Sequence, residues 1–323
     1  MEDQPVDAAD YSKWRQGDVF SMRTVAILTE SGPELLPAPH GVVVMSQTCD
    51  VVRCEGLHVT VCPLVKLDAD DRRNAERGTK PGYAAVPEAG DGMFADFALA
   101  SPVASRHLAK HSRTVGIDPN DLEEVRRFGE RVARHFGRFA FPDDVVPWLD
   151  GLRDVVLDKH DLSTSAEGEL IRRCVAEFRV EASAPNFWST PPYSVTLVVI
   201  VKRGVLPEFD DPPPLPKGLE RKLAGAQGAF AMAEWLREAE SLADSSEARA
   251  TRWHLWQSLA DAWAAKCRPA KKHLTMPGVA AAISEGALTS EIVTADQFTY
   301  ERYRGSEQLD VQHLSPPGPV DEL

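Results

Sequence analysis

The chain has 323 residues, a formal net charge of −13, 43% hydrophobic residues and 26% charged residues. These are the proportions of an ordinary globular protein that is long enough for two domains. No run approaches the ~18 consecutive apolar residues that a membrane span needs, so we expect no membrane span. The opening residues MEDQ are too polar for a signal peptide. Five cysteines, an odd number, argue against a disulfide framework. We therefore expect a cytoplasmic protein without membrane contact, whose acidic surface as a whole does not favour non-specific nucleic-acid binding.

The first third of the chain alternates short apolar runs with turns. Residues 16–22 indicate a turn that enters a strand, and residues 24–28, 42–45 and 58–65 contain several β-branched side chains, which favours strands. The run at residues 42–45 is fully apolar and ends abruptly in polar residues, as in a buried strand that leads into a functional loop. Several short strands with tight turns predict a small β-barrel.

Three short motifs carry a family resemblance. They are GDVF at residues 17–20, VVVMS at residues 42–46 and VTVCPL at residues 59–64. In this order they resemble the strands of the MazF/PemK (CcdB-like) SH3-type barrel, over about residues 15–68. The resemblance implies a barrel that binds RNA or a protein partner.

The chain departs from that family at its ribonuclease positions. It has His40 and Gly41 where those toxins carry an arginine before the second strand, and Val65 where they carry a threonine. We therefore expect the barrel without the toxin's catalytic residues. The string formed by Ser46, Gln47, Cys49 and Asp50 is also similar to one in uncharacterised bacterial proteins.

The remaining chain predicts helices and one hairpin. Asp118 and Pro119 form a helix start, followed by an apolar stripe that includes Leu122, Val125 and Phe136. A second helix begins near Phe141. The alternating residues 175–181 and the apolar residues 193–201 predict an antiparallel pair. Long helices follow, and the tryptophans near residue 256 predict a packed core on one of them. A further helix start is predicted at Thr294.

The fold class predicted from these elements is α+β. It comprises an N-terminal small SH3-like barrel, a helical insertion, and a C-terminal β-hairpin packed on long α-helices. The predicted divisions are a barrel at residues 1–100, a helical segment at 101–168, the hairpin at 169–210, a helical region at 211–315 and a disordered tail at 316–323.

Cys49 is the candidate nucleophile. A reactive thiolate needs access and a cation, a histidine or a helix N-terminus beside it. His40 lies at the far end of the same strand, so His58, at the start of the next strand, is the better partner. Asp50 could orient that histidine, and Gln47 lies two residues upstream. The alternative is a small apolar cysteine at the barrel end, with Asp50 capping the turn.

A metal site is also considered for this segment. Cys49, Cys54, His58 and Cys62 are zinc-type ligands, with four, three and three residues between them. There is no Cys-x-x-Cys pair, and His58 and Cys62 would lie about 13 Å apart along a strand that rises ~3.3 Å per residue. The sequence therefore predicts no metal and no cofactor.

A basic helical face is the candidate binding surface. Arg127, Arg131, Arg134 and Arg138 recur at helical spacing opposite the predicted apolar stripe. Four guanidinium groups on one face could hold phosphates or an acidic partner. The alternative is a solvated face whose charges are paired with neighbouring glutamates.

These features favour an interaction or nucleic-acid-recognition subunit that is not itself catalytic. By analogy with the barrel family, we expect it to act in a bacterial toxin-like or phage-defence system with a protein partner. Two alternatives stay open, a Cys49-dependent enzyme and a divergent MazF-like ribonuclease. Walker A, Rossmann, Gly-x-Ser-x-Gly and His-Glu-x-x-His motifs are absent from the sequence.

Overall fold

The computed structural model describes residues 10–53, 58–77, 80–137, 139–162, 164–183, 188–225 and 228–311. The chain divides into two compact units, Met1–Arg138 and Phe139–Leu323. Each unit is described by itself. The helical segment predicted at residues 101–168 draws on both units.

The first unit is mainly antiparallel β-structure. Its sheet has the strand order β6-β7-β5-β4-β1-β9, with β8 also paired to β5, and β2 and β3 form a separate hairpin. The elements are β1 (Val19–Phe20), β2 (Thr24–Thr29), β3 (Gly32–Pro37), β4 (Val42–Val44), α1 (Thr48–Val51), β5 (His58–Lys66), α2 (Ala69–Arg77), β6 (Tyr83–Ala85), β7 (Met93–Asp96), β8 (Ser101–Ala104), α3 (Ser105–Leu108), β9 (Arg113–Thr114) and α4 (Leu122–Gly137).

Strand β5 is the centre of this unit. It pairs with β4 on one edge, and with β8 and then β7 along the other edge. The strands predicted at residues 42–45 and 58–65 are thus confirmed as β4 and β5. The α+β class is confirmed as well. Among the described residues the sheets stay open rather than closing into a barrel, so the SH3-like layout remains a prediction.

The fully apolar run of β4 is explained by burial on both faces of the sheet. Val42 and Val44 belong to one apolar cluster, which contains Phe20 and Leu108. Val43 belongs to a second cluster on the opposite face. A strand covered on both sides needs apolar side chains at successive positions, not at alternate ones.

The Gly17-Asp18 motif has a structural role. Gly17 has φ of +87°, and a Cβ there would lie 2.4 Å from Cγ1 of Ile117. Asp18 is buried, and its Oδ2 accepts hydrogen bonds from the Arg15 backbone N–H and the Arg113 guanidinium, both at 2.7 Å. Burial raises the pKa of Asp18, and the bond from Arg113 opposes that effect. The motif therefore fixes the entry into β1.

The second unit packs helices on a four-stranded sheet of order β12-β11-β10-β13. Its core contains Trp256, Leu259 and Trp263, which confirms the packed tryptophan stripe predicted from the sequence. The elements are α5 (Val146–Asp161), α6 (Ala166–Cys174), β10 (Val175–Ala182), β11 (Tyr193–Val201), α7 (Leu219–Ala224), α8 (Ala229–Glu240), α9 (Ser246–Ala264), α10 (Val279–Ala282), β12 (Ile283–Thr294), α11 (Tyr300–Arg304) and β13 (Glu307–Gln308).

The hairpin is confirmed, and two expectations near the C-terminus are wrong. Strands β10 and β11 pair antiparallel. Residues 283–294 were predicted within a helical region, but β12 runs parallel to β11. The helix start predicted at Thr294 is also displaced: Thr294 ends β12, and α11 begins at Tyr300 with Thr299 as its cap. Among the described residues, no helix combines the length and the apolar composition that crossing a bilayer requires.

Candidate functional site

The segment after β4 turns at once into the short helix α1. The Ser46 hydroxyl accepts a hydrogen bond from the Thr60 backbone N–H at 2.9 Å, which ties the segment to β5. The Thr48 hydroxyl accepts one from the Gln16 backbone N–H at 3.1 Å. These bonds hold Gln47, Cys49 and Asp50 on a tethered turn at the surface.

Cys49 is exposed and contacts its two predicted neighbours. Its Sγ lies 3.7 Å from Gln47 Oε1 and 3.8 Å from Asp50 Oδ1, both of which accept from the thiol. His58 is exposed at the start of β5, where it pairs with Ala104. No hydrogen bond among the described residues joins His58 to Cys49. The structure brings Gln47, Cys49 and Asp50 into contact, and within the described ranges His58 is not hydrogen-bonded to any of them.

The cysteines do not form a metal cluster in the described part of the chain. Cys62 is fully buried within β5, and burial raises the pKa of its thiol strongly. Cys54 lies outside the described residues. Across the described ranges, no three histidine, cysteine, aspartate or glutamate side chains stand close enough to hold an ion.

Gln16 connects the α1 turn to helix α4. Its Nε2 donates to the Met45 carbonyl at 2.7 Å, and its backbone N–H binds Thr48. A Cβ added to Gly129 would lie 3.6 Å from Gln16 Oε1, so α4 passes directly over this amide. Gln16 therefore links the α1 turn to the side of α4 that carries Gly129.

Helix α4 presents a different face from the predicted one. It is capped by Asp121, whose Oδ1 accepts from the backbone N–H groups of Glu123 and Glu124 at 3.0 Å, three residues after the predicted cap at Asp118. The predicted apolar stripe is wrong, because Leu122 and Phe136 are 77% and 61% exposed. The buried side chain is Phe128, which packs in the same cluster as Met45 and Phe97.

The four arginines consequently have different surroundings. Arg127 is exposed and forms an ion pair with Glu123 at 2.6 Å. Arg131 is half-buried, and its Nη2 donates to the Glu76 carbonyl at 3.2 Å. Arg134 is also half-buried, and Arg138 lies outside the described residues. Arg131 and Arg134 are thus less exposed than Arg127, and the binding role of this arginine face stays a prediction.

Arg127 and Arg131 border a cavity of about 350 Å³ between α2, β6 and α4. Six of its ten lining side chains are apolar, and three of these are alanines. Two carboxylates, Glu76 and Glu124, also border the cavity. Burial and the neighbouring Asp121 carboxylate raise the pKa of one of them, Glu124, against the influence of Arg127. The lining residues are Ala75, Glu76, Ala84, Ala85, Pro87, Ile117, Glu124, Arg127, Phe128 and Arg131.

Half of this cavity was missed from the sequence. Residues 1–100 are predicted as a barrel, whereas the charged residues after position 68 form helix α2, capped by Asp68, whose Oδ1 accepts from the Asp71 backbone N–H at 2.8 Å. An aspartate followed by helix-favouring residues was the available signal. The consecutive small residues Ala84 and Ala85 gave no signal of their own.

Comparison with known proteins gives no relative for this arrangement. No family model, no curated protein and no solved structure matches the chain.

Proposed function

We propose that the protein is a nucleic-acid-recognition subunit and is not itself catalytic. In this proposal, the cavity between α2, β6 and α4 takes one unpaired base, and Arg127 holds the adjoining phosphate. The SH3-like barrel kinship, a protein partner and a bacterial toxin-like or phage-defence setting belong to the same proposal. They are supported by the resemblance of residues 15–68 alone.

The cavity is the observation that carries this proposal. Its volume of about 350 Å³ falls in the range of small-molecule sites, about 300–1,000 Å³. Phe128, Ile117 and Pro87 supply apolar walls of the kind on which a base can pack. The cavity is therefore large enough to admit a single base, whereas an intact duplex would not fit.

Arg127 suits a phosphate contact because its present partner is weakly held. Its ion pair with Glu123 is exposed on both sides, and exposed pairs contribute about 0–1 kcal/mol. A phosphate offers the same fork of acceptor oxygens with more charge. Arg127 therefore loses little free energy when it leaves the Glu123 carboxylate to bind a phosphate.

The contacts of Cys49 support a binding role over catalysis. Its thiol donates to the Gln47 amide oxygen and to the Asp50 carboxylate. A nucleophilic cysteine needs a base or a cation beside it. Gln47 and Asp50 serve in this proposal as polar contacts next to α4.

Fluorescence anisotropy with a labelled single-stranded oligonucleotide tests the proposal, using intact, abasic and duplex probes. We expect the intact strand to bind best and Arg127→Ala to weaken it by about tenfold, corresponding to ~1–2 kcal/mol for a lost phosphate contact. Ala85→Trp, which fills the cavity from its exposed rim, should remove the preference for the intact strand over the abasic one. Arg126→Ala is the matched control, since Arg126 is exposed on the same helix and does not line the cavity.

Two results would overturn this function. Equal losses for Arg126→Ala and Arg127→Ala, or equal binding of intact and abasic strands, would remove the role of the cavity. Cleavage of RNA that disappears in Gln47→Ala and Arg131→Ala would replace the binding role with the divergent ribonuclease.

A further inference from the structure

A second basic surface lies in the other unit, in the segment that joins α9 to α10. The sequence from residue 262 to residue 284 contains no aspartate or glutamate. It contains four cations, Lys266, Arg268, Lys271 and Lys272, all of which are exposed. In a chain of net charge −13, this is a strong local reversal of sign.

These cations differ from the arginines of α4 in their lack of partners. None of the four forms an ion pair or a side-chain hydrogen bond with any residue that the structure describes. Two acidic groups that these charges influence are engaged with other residues: Asp150 lies 3.0 Å from the Arg153 guanidinium, and Glu167 is buried and accepts from the Trp263 indole. Against the larger effect of burial, Lys272 lowers the pKa of Asp150, and Lys266 lowers the pKa of Glu167, only through long-range charge interaction and not through a direct contact.

The backbone that carries the four cations is held firmly. Consecutive turns link Lys266 to Trp263, Arg268 to Lys266 and His273 to Ala270, with N–H to carbonyl distances of 2.7–2.9 Å. Preorganised groups lose little conformational entropy when a ligand binds.

Helix α5 packs directly against this segment. A Cβ on Gly151 would lie 2.3 Å from the Lys266 carbonyl oxygen, so the glycine allows the segment to lie directly on the helix. The Trp148 indole donates to the Val279 carbonyl at 2.8 Å and fixes the far end. The buried Cys267 anchors the middle of the segment to the core.

We propose that residues 266–272 bind the phosphate backbone of a nucleic acid. Lysine is a compact point charge that binds phosphate without base specificity, so a row of exposed, unpaired cations suits a regular polyanion. An anionic membrane surface fits less well, because interfacial binding needs an amphipathic helix with a broad apolar face. This segment is built of turns, and Leu274 is its one exposed large apolar side chain among the described residues.

This surface stands independently of the base cavity. A duplex has no unpaired base to offer the cavity, yet its phosphates are fully accessible. Duplex binding therefore does not depend on the base cavity, and Ala85→Trp, which fills that cavity, should leave it unchanged.

The test measures binding of the full chain to a labelled duplex by anisotropy across a salt series. The triple variant Arg268→Ala, Lys271→Ala and Lys272→Ala should bind at least tenfold more weakly at 0.1 M salt. Its slope of log affinity against log salt should fall by about 2–3, since each lost phosphate contact removes ~0.9. The control variant Lys217→Ala, Arg221→Ala and Arg304→Ala removes the same charge from exposed positions elsewhere and should change affinity less than twofold.

Equal losses in the two triple variants would mean that net charge alone acts and would overturn the proposal. Absence of duplex binding by the unmodified protein at low salt would also overturn it. Vesicles containing phosphatidylserine provide the competing outcome: if the triple variant loses vesicle binding and keeps duplex binding, the surface is a lipid site. Circular dichroism of both variants confirms that the fold is retained.

Discussion

Glu167 offers the sharpest test of the energetics of the second unit. It lies in the first turn of α6 and is only 1% exposed. Its Oε1 accepts a hydrogen bond from the Trp263 indole N–H at 2.7 Å, and burial raises the pKa of the carboxyl group. Glu167→Gln keeps an amide oxygen at the same place, so it retains the hydrogen bond and removes the buried charge.

The direction of the effect follows from proton binding. Because the pKa is raised in the folded state, the folded carboxyl keeps its proton over a pH range in which the unfolded one, with an ordinary pKa of about 4.3, has lost it. The free energy of unfolding therefore falls as pH rises through that range, by at most about 1.4 kcal/mol per pH unit, and levels off above the folded pKa. Bonding to Trp263 and the positive charges of Lys159 and Lys266 offset part of the burial effect. We expect Glu167→Gln to raise the free energy of unfolding at pH 7 by about 1 kcal/mol.

Tryptophan fluorescence suits the measurement, because six of the seven tryptophans fall in the second unit. Urea unfolding at pH 4, 5, 6 and 7 should give a gap between variant and parent that widens with pH. Glu167→Ala, which loses the bond as well, should be less stable than the parent at every pH. A Glu167→Gln protein that is less stable than the parent at pH 7 would refute the reasoning. It would mean that the charged carboxylate is the favoured buried form.

Three further predictions concern separate features. Arg179→Ala should lower the free energy of unfolding of the second unit by about 3–5 kcal/mol. The buried guanidinium donates to the Ser306 hydroxyl and carbonyl oxygens, and its removal leaves these buried acceptors without a donor. A change below ~1 kcal/mol in urea unfolding would contradict this. Gly41→Ala should destabilise the first unit by at least ~1 kcal/mol, since φ is +96° and a Cβ would lie 2.5 Å from the Phe20 carbonyl oxygen. Thermal unfolding monitored by circular dichroism measures this loss. Gly137→Ala is the control, because a Cβ there meets no atom within 4 Å. Native iodoacetamide labelling, located by mass spectrometry, should modify the exposed Cys49 and spare the buried cysteines. Fast labelling of Cys49 near pH 6 would favour the Cys49-dependent enzyme.

The strands around Val42 could be predicted because burial leaves a clear mark on sequence. Both faces of β4 are covered, which requires the unbroken apolar run, and the apolar residues of β11 are likewise buried. Strand β12 carries little such mark. Within the described residues it pairs with β11 along one edge, and after the buried Ile283 its residues 284–289 are exposed or half-buried, so they look like a polar segment.

Helix α4 shows why an apolar pattern need not identify the buried face. The sequence offers two candidate faces, one with the stripe of Leu122, Val125 and Phe136 and one with Phe128. The single aromatic ring of Phe128 meets the apolar cluster beside Met45, and the longer stripe stays outside. Which face docks depends on the shape of a partner surface that is far away in sequence. The cavity forms only when α4 docks by this face, so it could not be predicted from the sequence either.

The order of strands in the second unit has a consequence for synthesis of the protein. The apolar hairpin strands β10 and β11 lie at the centre of the sheet, whereas both flanking strands, β12 and β13, come more than 80 residues later. At about 5–20 residues per second, a ribosome needs roughly 5–20 s to pass from Val201 to Thr294. During that interval both edges of a hairpin whose strand β11 is largely apolar are uncovered, which is the condition that promotes intermolecular strand pairing. The yield of folded protein should therefore depend on elongation rate and chaperone supply more than on the stability of the finished fold.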